Sequence, residues 1–348
     1  MAALKAHTGA TTSLYSPAGT ATLLRSRKRR VAFPSRVRVS CSTVVIGLGG
    51  DSGCGKRTFV RRLASVLGDG AAPPRGGNPE SNTLVGDTAT VICLDDYHSL
   101  DRPARKARGL TALDPRANDF DLMYEQVKAI KEGRAVEKPV YNHVTGLLDA
   151  PELVRDMAER GQSLGSITAS IEARKPDFDA YIDPQKQYAD AVIEVLPTKL
   201  IPDEEEVGKV LRVRLIMKED VKHFAPVYLF DEGSTINWIP CGRKLSCSYP
   251  GIRFAYGFGT YFGHEVSVLE MDGQFDRLEE LLYVETHLSN LSTKFYGEAT
   301  QQMLSHADFP GSNNGTGLFQ TILGFKIRDL YEQIVAERDA VAADAVKA

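Results

Sequence analysis

A glycine-rich segment early in the chain has the residue types and spacing of a phosphate-binding loop. It has the sequence Gly-Asp-Ser-Gly-Cys-Gly-Lys-Arg-Thr over residues 50–58, which fits the pattern G-x-x-x-x-G-K. Glycines allow backbone N–H groups to turn inward around phosphate oxygens, and a helix after the loop adds positive potential at its N-terminus. Lys56 would neutralise the β- and γ-phosphates of a nucleotide. The pattern predicts a nucleotide site, rather than a glycine-rich turn with a surface lysine, at Gly50, Asp51, Ser52, Gly53, Cys54, Gly55, Lys56, Arg57 and Thr58.

Arg57 departs from this pattern at the position that usually binds a metal ion. The residue after the loop lysine is normally Ser or Thr, whose hydroxyl ligates Mg²⁺. Arginine is a cation with no acceptor atom, so Arg57 cannot take that role. Thr58 follows one residue later, where a helix turns its side chain by about 100°. The sequence therefore predicts phosphate binding with altered Mg²⁺ placement, and Thr58 is the candidate metal ligand in this segment.

Two adjacent carboxylates are the candidates for a catalytic base. An apolar run at residues 89–94 predicts a second buried strand, and it ends at Asp95 and Asp96. In a parallel-sheet nucleotide fold the end of the second strand lies beside the loop after the first. A carboxylate at that place could take a hydroxyl proton as a phosphoryl group arrives. The residues alone favour Asp95 and Asp96 equally.

The five cysteines, at positions 41, 54, 93, 241 and 247, do not form a recognisable structural framework. An odd number without a secretory signal argues against structural disulfides, and no C-x-x-C pair suggests zinc. Cys54 lies in the phosphate loop and Cys93 lies two residues before Asp95. A disulfide between them needs Cα atoms within about 7 Å and would lock the loop against the catalytic strand. The alternative is two buried thiols that serve as small apolar residues.

The elements that must position these residues predict an α/β fold. The patterning places strands at 44–48, 89–94, 139–143, 209–218, 228–230, 236–239 and 265–271, and helices at 58–67, 120–131, 153–173, 277–288 and 326–341. Residues 68–88 are predicted to be a loop, and Asp119 or Asn118 is the expected N-cap of the helix at 120–131. We therefore expect a layered mixed sheet that begins with a parallel strand–helix nucleotide unit.

The net charge of −3 averages two different regions. Residues 1–40 carry eight Lys or Arg, ten Ser or Thr and no acid, which leaves −11 on residues 41–348. A basic, hydroxyl-rich and acid-free start predicts an organelle transit peptide over 1–40, with a nucleic-acid-binding tail as the alternative. The acidic remainder has no general affinity for nucleic acid. The longest apolar runs are too short to span a membrane, and the composition is that of a globular chain.

Longer segments resemble one family. The segments at 50–58, 91–98, 111–121, 138–146 and 155–161 closely resemble the phosphoribulokinases of plant and algal chloroplasts, and the resemblance continues through 170–197, 230–250 and 311–321. These enzymes belong to the phosphoribulokinase and uridine kinase group of P-loop proteins. The resemblance implies a P-loop kinase fold, with a mixed sheet flanked by helices. It also implies Mg²⁺- and ATP-dependent phosphorylation of ribulose 5-phosphate at O1 in the Calvin cycle of the chloroplast stroma. A kinase of the uridine kinase type fits these segments less well.

The resemblance also implies roles for individual residues and partners. It favours Asp95 over Asp96 as the base, acting with Lys56. Positions that hold the sugar phosphate in the family correspond to His98, Arg102, Tyr141, His143, Arg155 and Arg160. Redox disulfides are implied between Cys54 and Cys93 and between Cys241 and Cys247, with thioredoxin as the reductant. The implied assembly is a homodimer that, when oxidised, joins glyceraldehyde-3-phosphate dehydrogenase through a small disordered linker protein.

One segment of the family pattern has no counterpart in this chain. The sequence passes directly from Val154 to Arg155, where the family has a further stretch with an apolar strand ending in Glu-Gly-Leu-His. The glutamate of that signature helps to hold Mg²⁺. We therefore expect one core strand and one metal ligand to be missing near 154/155. A divergent copy, an alternatively spliced form or a faulty gene model would each produce this gap. The alternative function is a catalytically impaired homologue that still binds nucleotide or partners.

Overall fold

The computed structural model describes residues 2–7, 43–51, 53–68, 89, 91–134, 136, 139–141, 146, 148–149, 164–201, 210–240, 245–246 and 248–347. The strands are β1 (Ala2–His7), β2 (Val45–Gly50), β3 (Val140–Tyr141), β4 (Leu148–Asp149), β5 (Ala191–Pro197), β6 (Leu211–Lys218), β7 (Tyr228–Leu229), β8 (Ile236–Trp238), β9 (Ile252–Tyr261), β10 (His264–Gly273) and β11 (Leu288–Ser289). The α-helices are α1 (Lys56–Val66), α2 (Arg102–Ala107), α3 (Phe120–Lys131), α4 (Leu164–Asp177), α5 (Leu281–Glu285), α6 (Glu298–Ser305) and α7 (Gly315–Lys347).

One seven-stranded sheet organises the molecule, in the order β2-β1-β5-β6-β10-β9-β8. Every neighbouring pair is antiparallel, so β2 and β5 run in the same direction on either side of β1. Two short ribbons, β3 with β4 and β7 with β11, lie outside it. The predicted mixed α/β fold is confirmed. The parallel strand pair predicted for the nucleotide unit is not seen among the described strands, because β1 lies between β2 and β5 and pairs antiparallel with both.

The strand predicted at residues 89–94 is wrong. Residues 91–93 are not part of a strand, and a 3-10 turn follows at Leu94–Tyr97. Strand β2 pairs with β1, which in turn pairs with β5, so the described sheet is built without this run. An apolar run of six residues predicts a strand only where a partner edge is available, and sequence periodicity does not reveal which edge is taken.

The core lies between the sheet and α7. Along β6, Val213, Leu215 and Met217 are buried on the face that packs against α7, as their alternation predicts. Arg212 and Arg214 point to the opposite face, where they pair with glutamates of β5 and β10. The predicted amphipathic strand is therefore confirmed, and its apolar face supports the helix that also contacts α1.

Helix boundaries follow the local sequence where a cap defines them. Helix α3 spans the predicted range, and Asp119 caps it by accepting a hydrogen bond from Leu122 N–H. Helix α1 begins at Lys56, two residues earlier than predicted, directly after Gly55. The predicted helix at 277–288 is shorter, with a 3-10 turn at Leu278–Glu280 before α5.

Two elements differ from prediction because glycines obscure their patterns. Strand β9 contains Gly257 and Gly259, which interrupt its apolar alternation, and the sequence does not predict it. Helix α7 extends well beyond the predicted 326–341 and begins at Gly315. A Cβ at Gly315 would lie 2.8 Å from the Cβ of Val213, so the missing side chain lets the helix approach the sheet closely. Helix α4 is seen from Leu164, since residues 153–163 of its predicted range lie outside the described residues.

Strand β1 lies within the segment predicted to be a transit peptide. Its backbone pairs with β2 from Ala2 opposite Gly50 to His7 opposite Val45, and Ala2–Leu4 also pairs with β5. The removable leader over 1–40 stays a prediction. The predicted gap near 154/155 falls outside the described residues. None of the helices in the described part of the chain is long and apolar enough to cross a membrane.

Candidate active site

The phosphate loop connects β2 to α1 and encloses the ammonium group of Lys56. Gly53 and Gly55 have φ values of 82° and 89°, in the left-handed region that favours glycine. Lys56 Nζ donates to the carbonyl oxygens of Gly50 and Asp51, each at 2.6 Å. The strand–loop–helix setting predicted from the sequence is therefore present, with the cation held inside the loop.

Helix α7 contacts the phosphate loop through the side chain of Gln320. Gln320 is 3% exposed, and its Nε2 lies 3.5 Å from the carbonyl oxygen of Gly55. A Cβ at Gly55 would lie 3.2 Å from the same nitrogen. Gln320 therefore limits the position of the last loop glycine. Sequence patterning does not reveal this contact, because the two residues are 265 positions apart.

The residues after Lys56 do not form a magnesium site. The side chain of Arg57 is exposed, and Thr58 is half-buried one position further along α1. Within the described ranges, no group of three or more His, Cys, Asp or Glu side chains could hold a metal ion. Mg²⁺ needs oxygen ligands in a near-octahedral arrangement, and a cation replaces the usual hydroxyl here. Position 57 therefore offers Mg²⁺ no oxygen ligand, and the Thr58 hydroxyl is the next oxygen donor along α1.

Asp95 and Asp96 have opposite environments in the 3-10 turn. Asp96 is 1% exposed, and its Oδ1 accepts a hydrogen bond from the backbone N–H of Tyr141 at 3.0 Å. The side chain of Asp95 is 46% exposed, and its Oδ1 lies 3.7 Å from Nε2 of His98. Asp96 thus ties the turn to β3. Asp95 presents a carboxylate to solvent, where it could take a proton from a bound hydroxyl.

His98 and Tyr141 pack together behind Asp95. The two rings meet edge to face with centroids 4.8 Å apart, and both residues are buried. Nδ1 of His98 lies 2.7 Å from Oδ1 of Asn118. Nη2 of Arg105 donates to the Tyr141 hydroxyl at 2.9 Å. Asn118 and Arg105 are site residues that the sequence did not predict, because each reaches its partner from a separate segment.

Of the other residues predicted to bind the sugar phosphate, the structure describes Arg102 alone. Arg102 is exposed, and its backbone N–H donates to the carbonyl oxygen of Gly146 at 2.8 Å, in the segment that follows Tyr141. The structure therefore brings Asp95, His98 and Tyr141 together and ties the backbone of Arg102 to the same region. Ser52, His143, Arg155, Arg160, Cys241 and Cys247 lie outside the described residues.

Each cysteine of the predicted first redox pair contacts a predicted catalytic residue. Nζ of Lys56 lies 3.7 Å from Sγ of Cys54. The thiol of Cys93 faces Oδ2 of Asp95 at 3.9 Å. Both cysteines are partly exposed and are thiols in this structure. A change at either sulfur would therefore alter the surroundings of the loop ammonium or of the exposed carboxylate.

Two further features shape the surroundings of the loop and the turn. Burial, and secondarily the charge of Asp96, raises the pKa of Tyr97, whose hydroxyl donates to Gln126 at 2.8 Å. The Tyr97 side chain therefore stays neutral and anchors the turn to α3. A small, shallow cleft opens beside β2 and the start of the phosphate loop. It is lined by Gly49, Gly50, Phe178, Ile182, Asp183, Gln185 and Lys186.

Comparisons with known proteins agree on one family. The model of the phosphoribulokinase/uridine kinase family matches residues 45–154 and 150–202. The chain is 65% identical to chloroplastic phosphoribulokinase of Triticum aestivum over all of both chains. It is 68% identical to the Arabidopsis thaliana enzyme over 90% of each chain. Identity to the phosphoribulokinase of Synechocystis is 53%, over 86% of this chain and 97% of that protein.

The same comparisons bear on the segment predicted to be missing. The family model matches in two pieces that meet at residues 150–154. The alignment with the Triticum aestivum protein is 406 positions long, 58 more than the 348 residues of this chain. The break in the match agrees in position with the gap predicted near 154/155.

Proposed function

The chain belongs to the phosphoribulokinase/uridine kinase family, and from that premise we propose that it transfers the γ-phosphoryl group of ATP to O1 of ribulose 5-phosphate. The observation that carries this proposal is identity of 53–68% to phosphoribulokinases over at least 86% of the chain. The product, ribulose 1,5-bisphosphate, is the CO₂ acceptor of the Calvin cycle. The chain accordingly acts in the chloroplast stroma, as the chloroplastic relatives do.

In this proposal, each site residue has a separate role in the reaction. Lys56 and the N–H groups of the phosphate loop hold the β- and γ-phosphates. Asp95 accepts the proton of the C1 hydroxyl as its oxygen attacks the γ-phosphorus. The bond between the γ-phosphorus and the bridging oxygen breaks, and ADP leaves. His98, Arg102 and Tyr141, together with His143, Arg155 and Arg160, hold the sugar phosphate in this proposal.

Mg²⁺ accompanies ATP in this proposal without a ligand set from the described residues. Arg57 occupies the position of the usual hydroxyl ligand, and the Thr58 hydroxyl is the remaining candidate on α1. In this proposal, Asp95 can accept the proton and Lys56 can bind phosphate without any protein side chain ligating the metal ion.

We also propose that the activity is controlled by two disulfides, Cys54 with Cys93 and Cys241 with Cys247. A thioredoxin dithiol supplies two electrons and two protons for each disulfide that it reduces. Support comes from the contacts of the first pair, since Cys54 touches Lys56 and Cys93 touches Asp95. Joining these sulfurs would pull on both catalytic groups, so the oxidised form is the inactive one.

The proposed assembly follows from family membership alone. It is a homodimer that, in its oxidised state, binds glyceraldehyde-3-phosphate dehydrogenase through a small disordered linker protein. Residues 1–40 would be removed as the transit peptide on entry into the chloroplast, and β1 would then leave the sheet. The acidic remainder of the chain fits a stromal enzyme without affinity for nucleic acid.

The function is tested by a direct assay on the full chain under reducing conditions. ATP, Mg²⁺ and ribulose 5-phosphate are supplied, and ribulose 1,5-bisphosphate is measured by phosphorus NMR. Asp95→Asn is expected to lower kcat by about 10²- to 10⁴-fold, because the proton acceptor is lost. Asp96→Asn is the matched control, since its amide oxygen can still accept from Tyr141 N–H. An Asp95→Asn variant as fast as the unmodified chain would remove Asp95 from the mechanism.

A second candidate function is a homologue that binds nucleotide without turnover. Arg57 and the break in the family match at 150–154 both favour it, because they remove metal-binding features. This candidate predicts saturable ATP binding with product formation at background level. Turnover above background in the assay would exclude it.

A further inference from the structure

The amide of Asn118 is fixed in one orientation. Its Nδ2 donates to the carbonyl oxygens of Ala112 at 3.1 Å and Asp114 at 2.9 Å, which uses both of its N–H bonds. An oxygen placed at the Nδ2 position would face two carbonyl oxygens, so the reverse orientation is excluded. Oδ1 therefore points at the ring of His98, 2.7 Å from Nδ1.

This contact determines which nitrogen of His98 carries the proton. An amide oxygen only accepts hydrogen bonds, so Nδ1 must be the donor across the 2.7 Å contact. In the neutral ring Nε2 is then the unprotonated nitrogen. That nitrogen lies 3.7 Å from Oδ1 of Asp95.

We propose that Asn118 is a positioning residue that holds His98 in its Nδ1–H tautomer, so that Nε2 faces Asp95 and the reacting sugar hydroxyl. The inference deepens the proposed function, because it assigns the proton-exchanging atom beside the proposed base. At 3.7 Å the two atoms are too far apart for a strong direct hydrogen bond, yet both can contact one hydroxyl group. The neutral ring accepts from that hydroxyl, and the protonated ring donates to its oxygen or to Asp95.

The surroundings of His98 restrain it in this arrangement. Its backbone forms an antiparallel bridge with Asn118, so main chain and side chain tie the same two residues together. The ring packs edge to face against Tyr141 at an interplanar angle of 87°. Among the described residues, the charged groups around this pair are Asp95, buried Asp96 and Arg105, whose guanidinium lies 5.4 Å from the centre of the Tyr141 ring. A ring rotation that exchanged the two nitrogens would lose the contact with Asn118 and would have to pass the Tyr141 ring.

The experiment reads the tautomer directly, by two-bond ¹H–¹⁵N correlation spectra of the full chain labelled at histidine. His98→Gln identifies the His98 signals by their disappearance. In the unmodified chain at neutral or higher pH, Nδ1 should show the shift of a protonated nitrogen and Nε2 that of an unprotonated one. A proton on Nε2 of the neutral ring would overturn the proposal.

Variants at Asn118 separate positioning from folding. Asn118→Leu removes the acceptor, so the Nδ1 and Nε2 shifts should move toward the Nε2–H form and kcat should fall by about 10- to 100-fold. Asn118→Asp keeps an acceptor for Nδ1, so it should keep the Nδ1–H spectrum, although its second oxygen faces the carbonyl oxygens of Ala112 and Asp114 and should lower stability. If neither variant folds, the spectrum of the unmodified chain still decides, because a proton on Nε2 of the neutral ring contradicts the proposal.

A matched control comes from a second asparagine with the same bonding. Nδ2 of Asn290 donates to the carbonyl oxygens of Ala225 and Pro226. Asn290→Asp should leave the His98 signals and kcat unchanged. The spectra need no turnover, so an inactive chain with an Nδ1–H ring would contradict the proposed function alone. An active chain with an Nε2–H ring would contradict this inference alone.

Discussion

Asp95 and Asp96 carry the same carboxyl group, and their neighbours decide what each can do. The sequence places both at the end of an apolar run and predicts a carboxylate beside the phosphate loop, and that placement stays a prediction. It could not assign their roles, because the backbone N–H that binds Asp96 belongs to Tyr141, 45 positions away. Lys56 and the loop glycines could be predicted because their requirements are local. Asn118 and Gln320 could not, because their contacts depend on the fold.

Arg57 is the residue whose replacement should restore a metal contact. Arg57→Ser returns the usual hydroxyl, so the Mg²⁺ concentration that gives half-maximal rate should fall by about tenfold. The measurement is initial rate against free Mg²⁺ at saturating ATP. Arg57→Lys keeps the positive charge without an oxygen, and its Mg²⁺ dependence should match that of the unmodified chain. Equal Mg²⁺ dependence in all three proteins would show that position 57 does not govern the metal.

At the scale of elements, caps and paired strands were easier to predict than unpaired runs. The bounds of α3 were predicted from an N-cap at Asp119 and an amphipathic pattern, and the structure shows the same cap and the same helix. The run at residues 89–94 has strand-like residues yet no ladder, since hydrogen-bond partners are chosen by topology. Strand β9 shows the converse, because β8 and β10 hold it in the sheet despite its two glycines.

A buried ion pair joins α6 to α7. Glu298 and Arg328 are 4% and 5% exposed, and Nη1 and Nη2 of the arginine each bond one carboxylate oxygen. Burial by itself raises the pKa of Glu298, but hydrogen bonds from Arg328 and Lys294 N–H outweigh it. The net pKa therefore lies below the ordinary value of 4.5. A depressed carboxyl pKa stabilises the fold above the unfolded-state pKa, and this contribution is lost as pH falls through the folded-state pKa.

Glu298→Gln should lower the free energy of unfolding by about 3 kcal/mol at pH 7, because Arg328 is left buried without a counter-charge. The difference from the unmodified chain should shrink as pH falls below 4.5, where Glu298 itself becomes protonated. Urea unfolding at pH 7 and pH 3 measures both quantities. Glu279→Gln, at an exposed position, is the control that should behave like the unmodified chain. A difference that is independent of pH would contradict the assigned ionisation.

At the scale of the whole molecule, the sheet is continuous only because β1 bridges β2 and β5. The basic, acid-free composition predicts a transit peptide over residues 1–40, and this stays a prediction. The sequence does not predict that Ala2–His7 joins the sheet, because this short run has no strong strand pattern.

Leu4→Pro should weaken the sheet, because a proline in a strand paired on both sides removes an N–H donor and disturbs the ladder. A loss of roughly 2 kcal/mol corresponds to a Tm lower by about 5 °C. Differential scanning calorimetry of the full chain measures it. Leu4→Val keeps the backbone N–H and suits a strand, so its Tm should stay close to that of the unmodified chain. A Leu4→Pro chain with unchanged Tm would show that β1 adds nothing to stability.

The pairing of β1 sets an order of events in the cell. A receptor at an organelle surface binds a transit peptide whose backbone is accessible. Once the sheet has formed, the backbone of Ala2–His7 is hydrogen-bonded in the sheet, to β2 and, over Ala2–Leu4, also to β5. If residues 1–40 act as the proposed transit peptide, a chain that folds first in the cytosol makes this segment inaccessible to the receptor. On that proposal import must precede completion of the sheet, so the time between synthesis and docking would decide how much of the protein is imported.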